Sequence, residues 1–334
     1  MATQHEKSPC CREKIIRFGG RRRQCAQCQK TWRVWRRHRG RKRRRHDFLL
    51  VTHYLEGNFV SLKREARRRT LNASTFRKRL KQSAHAFVAV TEFGKLSPGG
   101  QYIFTADAII KRIKHQWYTV YVVAAKSSQQ SVATLFPPVI LNGRETYQGW
   151  KTVFDKIPAE IRKKAAVLVC DSHRGLVYYA RWSGWKVQRC QAHLIFALAG
   201  RRSRSHWSRH QKEGERIYQL AKIIFTTRKQ KTLNGALTEI EALGWETNSS
   251  ILKHVISGFV RSFDEYRTSL KNPHLNIPTT NNAMESFFSQ FQELCHRSRG
   301  FSSVQSLTLW VTAFAKHKKI ITCNGPRRQP IKFP

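Results

Sequence analysis

The 334-residue sequence predicts an α/β protein: a mixed sheet carrying a helical insertion, preceded by a small cysteine-bearing segment and a basic helical module. Three observations carry this. Between residues 100 and 200, aromatic and β-branched runs alternate with helix-like stretches. Residues 201–275 lose that alternation and read as helices. Upstream, four of the eight cysteines fall within the first 28 residues.

Charge narrows the class of partner. Lys and Arg number 63 against 20 acids, a formal charge of +43. Such an excess destabilises a compact state by self-repulsion unless a polyanion shares the surface. Nucleic acid is that polyanion, because neutralising phosphates releases counterions and drives binding. No stretch approaches about 18 consecutive apolar residues, which argues against a membrane partner. The start, "MATQHEKSPC", lacks the apolar core of a signal peptide, so a soluble, cytoplasmic nucleic-acid binder is expected.

Residues 1–45 hold 17 Lys/Arg against 2 Glu. Within them "CCREKIIRFGGRRRQCAQCQKTW" reads as a zinc-ribbon-like segment, in which two cysteine knuckles grip one Zn²⁺ and replace a core. Cys25-x-x-Cys28 is the regular half. In the other half Cys11 fits a ligand position, but Ser8 stands where a Cys-Pro-x-Cys pattern places a cysteine. Cys10 or His5 could supply the missing ligand, and a basic tail with reactive thiols is the competing reading. "RVWRRHRGRKRRRH" (33–46) is too charged for a core element and reads as a linker along DNA.

Residues 46–94 show helical spacing. One helix begins at Phe48 after Asp47 and ends near Gly57. "SLKREARRR" (61–69) makes a second and "ASTFRKRLKQSAHAF" (73–87) a third, with Ser74 as the expected N-cap. Three short helices with a basic last one resemble a helix-turn-helix module, whose recognition helix offers Thr75, Arg77, Lys78 and Lys81 to a major groove. A plain basic helical bundle is the alternative.

After the break "KLSPGGQ" the period changes. "YIFTAD" (102–107), "WYTVYVVAA" (117–125), "SVATLFPPVIL" (131–141), "AAVLVC" (165–170) and "WKVQR" (185–189) read as strands. Helices are expected at 144–157, at about 173–182 and over "CQAHLIFALA". The insertion reads as three helices, the last spanning "SSILKHVISGFVRSFDEYRTSL" (249–270). "NNAMESFFSQFQELCHR" (281–297) returns as an amphipathic helix of the core, which runs on over 276–320, and 321–334 reads as a tail.

Of five aspartates, Asp47 opens a helix, Asp155 lies on an exposed helical face and Asp264 sits in the insertion. Only Asp107 and Asp171 end apolar strands. On neighbouring strands their carboxylates converge, and two carboxylates that close repel unless a cation or proton lies between them. Mg²⁺ (or Mn²⁺) takes oxygen ligands of this kind, and two such ions can drive in-line phosphoryl transfer. Glu285 is the best-placed third acid. Each has a plainer reading: Asp171 as a helix N-cap, and Glu285 as part of a capping box begun by Asn282. Cys190-x-x-His193 places two side chains on one helical face, where Cys190 reads as a small buried residue. Trp182, Trp185 and Trp245 either stack on unpaired bases or pack in the core.

The ordered set Asp107, Asp171, Cys190-x-x-His193, helical insertion, "TTNNAMESFFSQF" and "RSRGF" resembles a DDE transposase of a bacterial insertion sequence. It is most similar to the Mutator-like group, over about residues 100–310. The resemblance implies an RNase H-like core, with Asp107, Asp171 and Glu285 as the metal-binding triad and Cys190 and His193 as an auxiliary pair. It places Asn281 and Arg299 beside the catalytic helix near DNA. It also implies double-stranded DNA partners (element ends and target), a homodimer or larger assembly on DNA, and nucleoid association. A transposase-derived DNA-binding protein without catalysis and a metal-dependent nuclease are the competing functions.

Overall fold

The structure, a computed structural model, describes residues 8, 10–18, 22–33, 47–59, 61–98, 100–195, 211–298 and 300–323. His5, Arg299, the basic run at 34–46 and the tail beyond Cys323 lie outside them. The chain divides into two units, Met1–His46 and Asp47–Pro334. In the first, β1 (Ile15–Phe18), β2 (Arg22–Cys25) and β3 (Thr31–Arg33) form an antiparallel sheet in which Ile15 pairs with Cys25 and Gln24 with Thr31.

The second unit begins with α1 (Phe48–Glu56), α2 (Leu62–Arg68) and α3 (Ala73–Val90). Each starts on a side-chain cap: Asp47 accepts from Leu50 N–H, Ser61 from Arg64 N–H and Asn72 from Thr75 N–H. The cap of α3 is therefore Asn72 and not Ser74, whose hydroxyl instead bonds the Asn72 side chain at 2.9 Å. Helix α1 closes on Gly57, whose φ of 85° suits a residue without a Cβ.

Next come β4 (Tyr102–Ile113), β5 (Gln116–Ser127), β6 (Val132–Leu135), β7 (Val139–Asn142), α4 (Tyr147–Asp155), α5 (Ala159–Lys163), β8 (Ala165–Cys170), α6 (Arg174–Trp182) and β9 (Lys186–Arg189). Residues 131–141 do not make the single strand that their composition suggests. Pro137 and Pro138 have no N–H to give a ladder, so the segment splits into β6 and β7, which pair with successive stretches of β5. The insertion supplies α7 (Gln211–Thr226), α8 (Gln230–Glu246), α9 (Ser250–Val260) and α10 (Thr268–Lys271). The expected helix over 249–270 breaks after Val260, and Phe263–Tyr266 is a 3-10 turn. There Tyr266 stacks on Phe225, and Arg267 turns inward to donate to the Ile224 and Thr227 carbonyls at the end of α7. Finally α11 (Asn282–Arg297), α12 (Val304–Lys318) and β10 (Ile320–Thr322) close the unit. Thus the first residues of the expected tail pair with β6 as an antiparallel edge strand.

The main sheet runs β10–β6–β5–β4–β8–β9, with β7 beside β5. Strands β4, β8 and β9 are mutually parallel and the remaining pairs antiparallel, so the sheet is mixed. One face, led by Phe104 and Leu168, packs on Trp150 and Phe154 of α4 and Tyr179 of α6. The other buries Val120 and Val122 against Phe287 and Phe291 of α11, Trp310 and Phe314 of α12, and Leu50, Tyr54, Phe76 and Leu80 of α1 and α3. The first three helices thus share a core with the sheet. Helices α7 to α9 bury a separate cluster that includes Ile217, Leu220, Ile240 and Phe259.

Lys126, on β5, is fully buried; its ammonium donates to the carbonyls of Gln130 (2.7 Å) and Asn276 (2.8 Å), tying the loop before α11 to the sheet. Replacing it by Met strands both carbonyls, so Lys126→Met should cost about 1–3 kcal/mol, read as a lower urea midpoint at unchanged slope.

Candidate active site

The parallel register of β4 and β8 sets the site. Phe104 pairs with Leu168 and Thr105 with Val169; continued by two residues, the same register sets Asp107 opposite Asp171. Asp107 does not end its strand as the run "YIFTAD" suggests: β4 continues to Ile113 as the partner of β5, so Asp107 sits inside it opposite Val122. Asp171 is the first residue after β8, where its Oδ1 accepts from His173 N–H at 2.9 Å. It therefore holds a turn, while the cap position of α6 belongs to His173. Burial pushes the Asp107 carboxyl up to about 8, and the negative charges of Asp171, Glu145 and Glu285 add to the rise; the Ala108 N–H opposes it. Four carboxylates thus gather at one end of the parallel strands.

Glu285 reaches this end from the first turn of α11. No side chain caps that helix, and the Glu285 Oε1 instead lies 3.2 Å from His193 Nδ1 and 3.9 Å from Cys190 Sγ. Cys190 follows β9 directly, its N–H bonded to the Cys170 carbonyl at 2.8 Å, and it is buried. Its sulfur accepts from Asn281 N–H at 3.1 Å. Asn281 is fully buried, so its side chain meets protein and not solvent: Nδ2 donates to the Ala106 carbonyl at 3.2 Å. One asparagine at the start of α11 thereby bridges β4 and the residue after β9. It fixes where Glu285 enters.

Glu145 was not among the acids that sequence reasoning selected. It precedes α4, is bonded by Trp150 Nε1 at 2.7 Å, and lies 3.1 Å from His173 Nδ1; desolvation raises its carboxyl above the ordinary value. It stands at the start of the stretch expected as a helix (144–157), but the helix begins only at Tyr147, and nothing in the residue spacing flags Glu145. The other acids behave plainly: Asp155 pairs with Lys151 and Arg162, and Asp264 with Lys271.

Among the described residues, Glu285 groups with Cys190 and His193, whose ligand atoms lie within 4.8 Å of one another. Asp107 and Asp171 stand outside that group, and the charges of Asp171 and Glu285 both act on the buried Asp107. The N-terminal unit holds a second group, in sulfur alone. Cys10, Cys11, Cys25 and Cys28 place their Sγ atoms within 4.8 Å of one another, a donor set compatible with tetrahedral zinc. Two turns are equivalent: Ser8-x-x-Cys11 followed by Arg12 at φ 57°, and Cys25-x-x-Cys28 followed by Gln29 at φ 57°. Ser8 does occupy the ligand position of the first turn, where its hydroxyl accepts from Glu13 N–H and from the Cys25 thiol. Cys10 joins the cluster in its stead, 3.3 Å from Cys28. The Cys28 backbone N–H holds Cys25 down at about 6, while the Cys28 thiol pushes Cys11 up to about 12.

Away from these centres, Arg77, Lys78 and Lys81 stand exposed along α3, and Thr75 is half-buried in its first turn. Trp185 is buried against Phe104, whereas Trp182 and Trp245 are exposed. Among the described residues, no helix is long and apolar enough to cross a membrane.

A mixed sheet with acids beside its parallel strands, in a chain this basic, is compatible with a nucleic-acid-processing class of protein. The family model "Transposase, Mutator family" matches residues 112–319, well over half the chain. The chain belongs to the Mutator family of transposases. Its partner class is accordingly DNA. The matched span includes Asp171, Cys190, His193 and Glu285, and it begins five residues after Asp107. No match was found among curated proteins.

A carboxyl raised by burial favours the protonated form in the folded state. Asp107 therefore contributes stability that is full below roughly pH 4 and is lost as pH rises through about 8. In cation-free protein, Asp107→Asn should raise the melting temperature at pH 8.5 and leave it unchanged near pH 4, measured by calorimetry. An equal effect at both pH values would place the cause outside this ionisation.

Proposed function

We propose that this protein is a DDE transposase, which binds the ends of a bacterial insertion sequence and carries out metal-dependent strand cleavage and strand transfer. What supports the reading is that the register of β4 and β8 sets Asp107 opposite Asp171, and that the charges of Asp171 and Glu285 both reach the buried Asp107, in a chain of this family. The mixed strand order, with β4 central between an antiparallel and a parallel half, supports an RNase H-like core.

On this reading Asp107, Asp171 and Glu285 hold Mg²⁺ or Mn²⁺. When bound, the cation supplies activation of the attacking oxygen and neutralisation of charge on the leaving one. The protein's own residues prepare that position. Asp107 keeps a proton at neutral pH until a neutralising charge arrives and then gives it up. His193 orients Glu285 through Nδ1, and Asn281 holds the N-terminus of α11 against β4. The exposed Arg77, Lys78 and Lys81 of α3 and the basic N-terminal unit supply phosphate contacts that position DNA without taking part in chemistry. Cys10, Cys11, Cys25 and Cys28 hold Zn²⁺, and two DNA ends are joined by a dimer or larger assembly.

In cells carrying donor and target plasmids, wild-type protein should form new element–target junctions, and Asp171→Ala should form none while still retarding the element's ends in a gel. His193→Ala, which removes the orienting contact, should lower junction yield by roughly 10- to 100-fold. Junctions from Asp171→Ala at the wild-type level would overturn the catalytic assignment. In a separate test, one equivalent of zinc per chain should be found by atomic absorption. Cys25→Ser should lose it, whereas Ser8→Ala should retain it because Ser8 gives no ligand.

A further inference from the structure

Helix α6 buries Leu176, Val177, Tyr179 and Ala180 but turns two large aromatic residues outward. Tyr178 is 60% exposed and Trp182, one turn later on the same face, 66%. Tyr178 and Tyr147, at the start of α4, meet edge to face at 5.2 Å and line a cleft of about 420 Å³. Its volume falls in the range of small-ligand sites.

Three guanidiniums complete the lining. Arg181 and Arg189 are both held by Glu265, at 2.5–2.8 Å and 2.6 Å. Arg174 is exposed and has no ion pair among the described residues. The two helix starts touch because residue 175 is glycine: a Cβ there would lie 2.7 Å from the Tyr147 nitrogen. The lining also neighbours the site residues along the chain. Tyr147 lies two residues after Glu145, Arg174 three after Asp171, and Arg189 immediately before Cys190.

We propose that this cleft takes an unpaired nucleotide of the DNA substrate, with its base against Tyr147 and Tyr178, Trp182 flanking it one turn further along α6, and its phosphate on Arg174. The inference rests on the reading of the chain as a DNA-cutting enzyme. Duplex DNA offers phosphates to arginines but hides the faces of its bases. Exposed rings interleaved with guanidiniums suit a base that has left the stack, since any base presents a π-face and stacking tolerates sequence. Extruding a nucleotide beside the acids also loosens the strand that is to be cut, at the cost of unstacking one base.

The test uses the full-length protein without added divalent cation, so that no strand is cut. Two probes share one sequence: a matched duplex, and a duplex with two unpaired nucleotides, one of them 2-aminopurine. Wild type should bind the unpaired probe more tightly and quench its fluorescence. Tyr178→Ala and Trp182→Ala should each weaken that binding by about tenfold while changing the matched duplex less than twofold, and Tyr178→Phe should behave as wild type. Equal losses on both probes, loss in Tyr178→Phe, or no loss in either alanine variant would overturn the proposal. Because no chemistry is read, a failure of the catalytic assignment would appear in the junction assay alone and would leave these binding ratios standing.

Discussion

The parallel pairing of β4 with β8 is the constraint on which the rest of the site depends. It forces two aspartates into facing register at the end of a buried sheet, where neighbouring strands lie about 4.8 Å apart. Two carboxylates placed there cannot both ionise without cost. Burial first, and the charge of Asp171 after it, raise the Asp107 carboxyl and favour its protonated form. Everything around the pair is arranged to bring further carboxylate in. Glu285 arrives on a helix whose start is bolted to β4 by Asn281, and Glu145 is turned inward by Trp150.

The insertion does more than fill space between β9 and α11. Its last turns cover the outer edge of β9: Thr268 Oγ1 donates to the Val187 carbonyl, and Gln188 bonds the Tyr266 carbonyl and the Ser269 N–H. An unpaired sheet edge is a template for association, and here the edge is occupied by the protein's own side chains and turns. The same turns carry Glu265, which aligns Arg181 and Arg189. The insertion therefore shapes the ground beside the acids without contributing one to them.

Much of this was legible in the sequence, for reasons that lie in particular residues. The runs "YIFTAD" and "AAVLVC" are apolar and β-branched enough to be strands whatever surrounds them, so their aspartates stood out, although β4 runs six residues past Asp107. Glu285 was reachable because α11 carries its apolar stripe at Met284, Phe287, Phe288 and Phe291, which leaves position 285 beside the buried face. Several features had no local signal. The split at Pro137–Pro138 needs the knowledge that both halves follow one neighbour, β5. The broken helix after Val260 follows from Tyr266 and Arg267 turning into the insertion's core, a tertiary preference that overrides helical spacing. Glu145 and the buried Lys126 are single polar residues whose meaning comes only from partners far along the chain.

The helices that precede the sheet have a further consequence. Tyr54 of α1 lies 4.6 Å from Trp310 of α12, ring centre to ring centre, and Lys316 of α12 donates to the Val88 and Thr91 carbonyls at the end of α3. The helix with the basic exposed face is thus welded to the back of the sheet that carries the acids. It is not a cassette on a hinge. An engineer could not exchange residues 47–90 for another helical module without also supplying a surface that fits Trp310 and Phe314. Variation along α3 would then be accommodated by its outward side chains, with the scaffold beneath them left as it is.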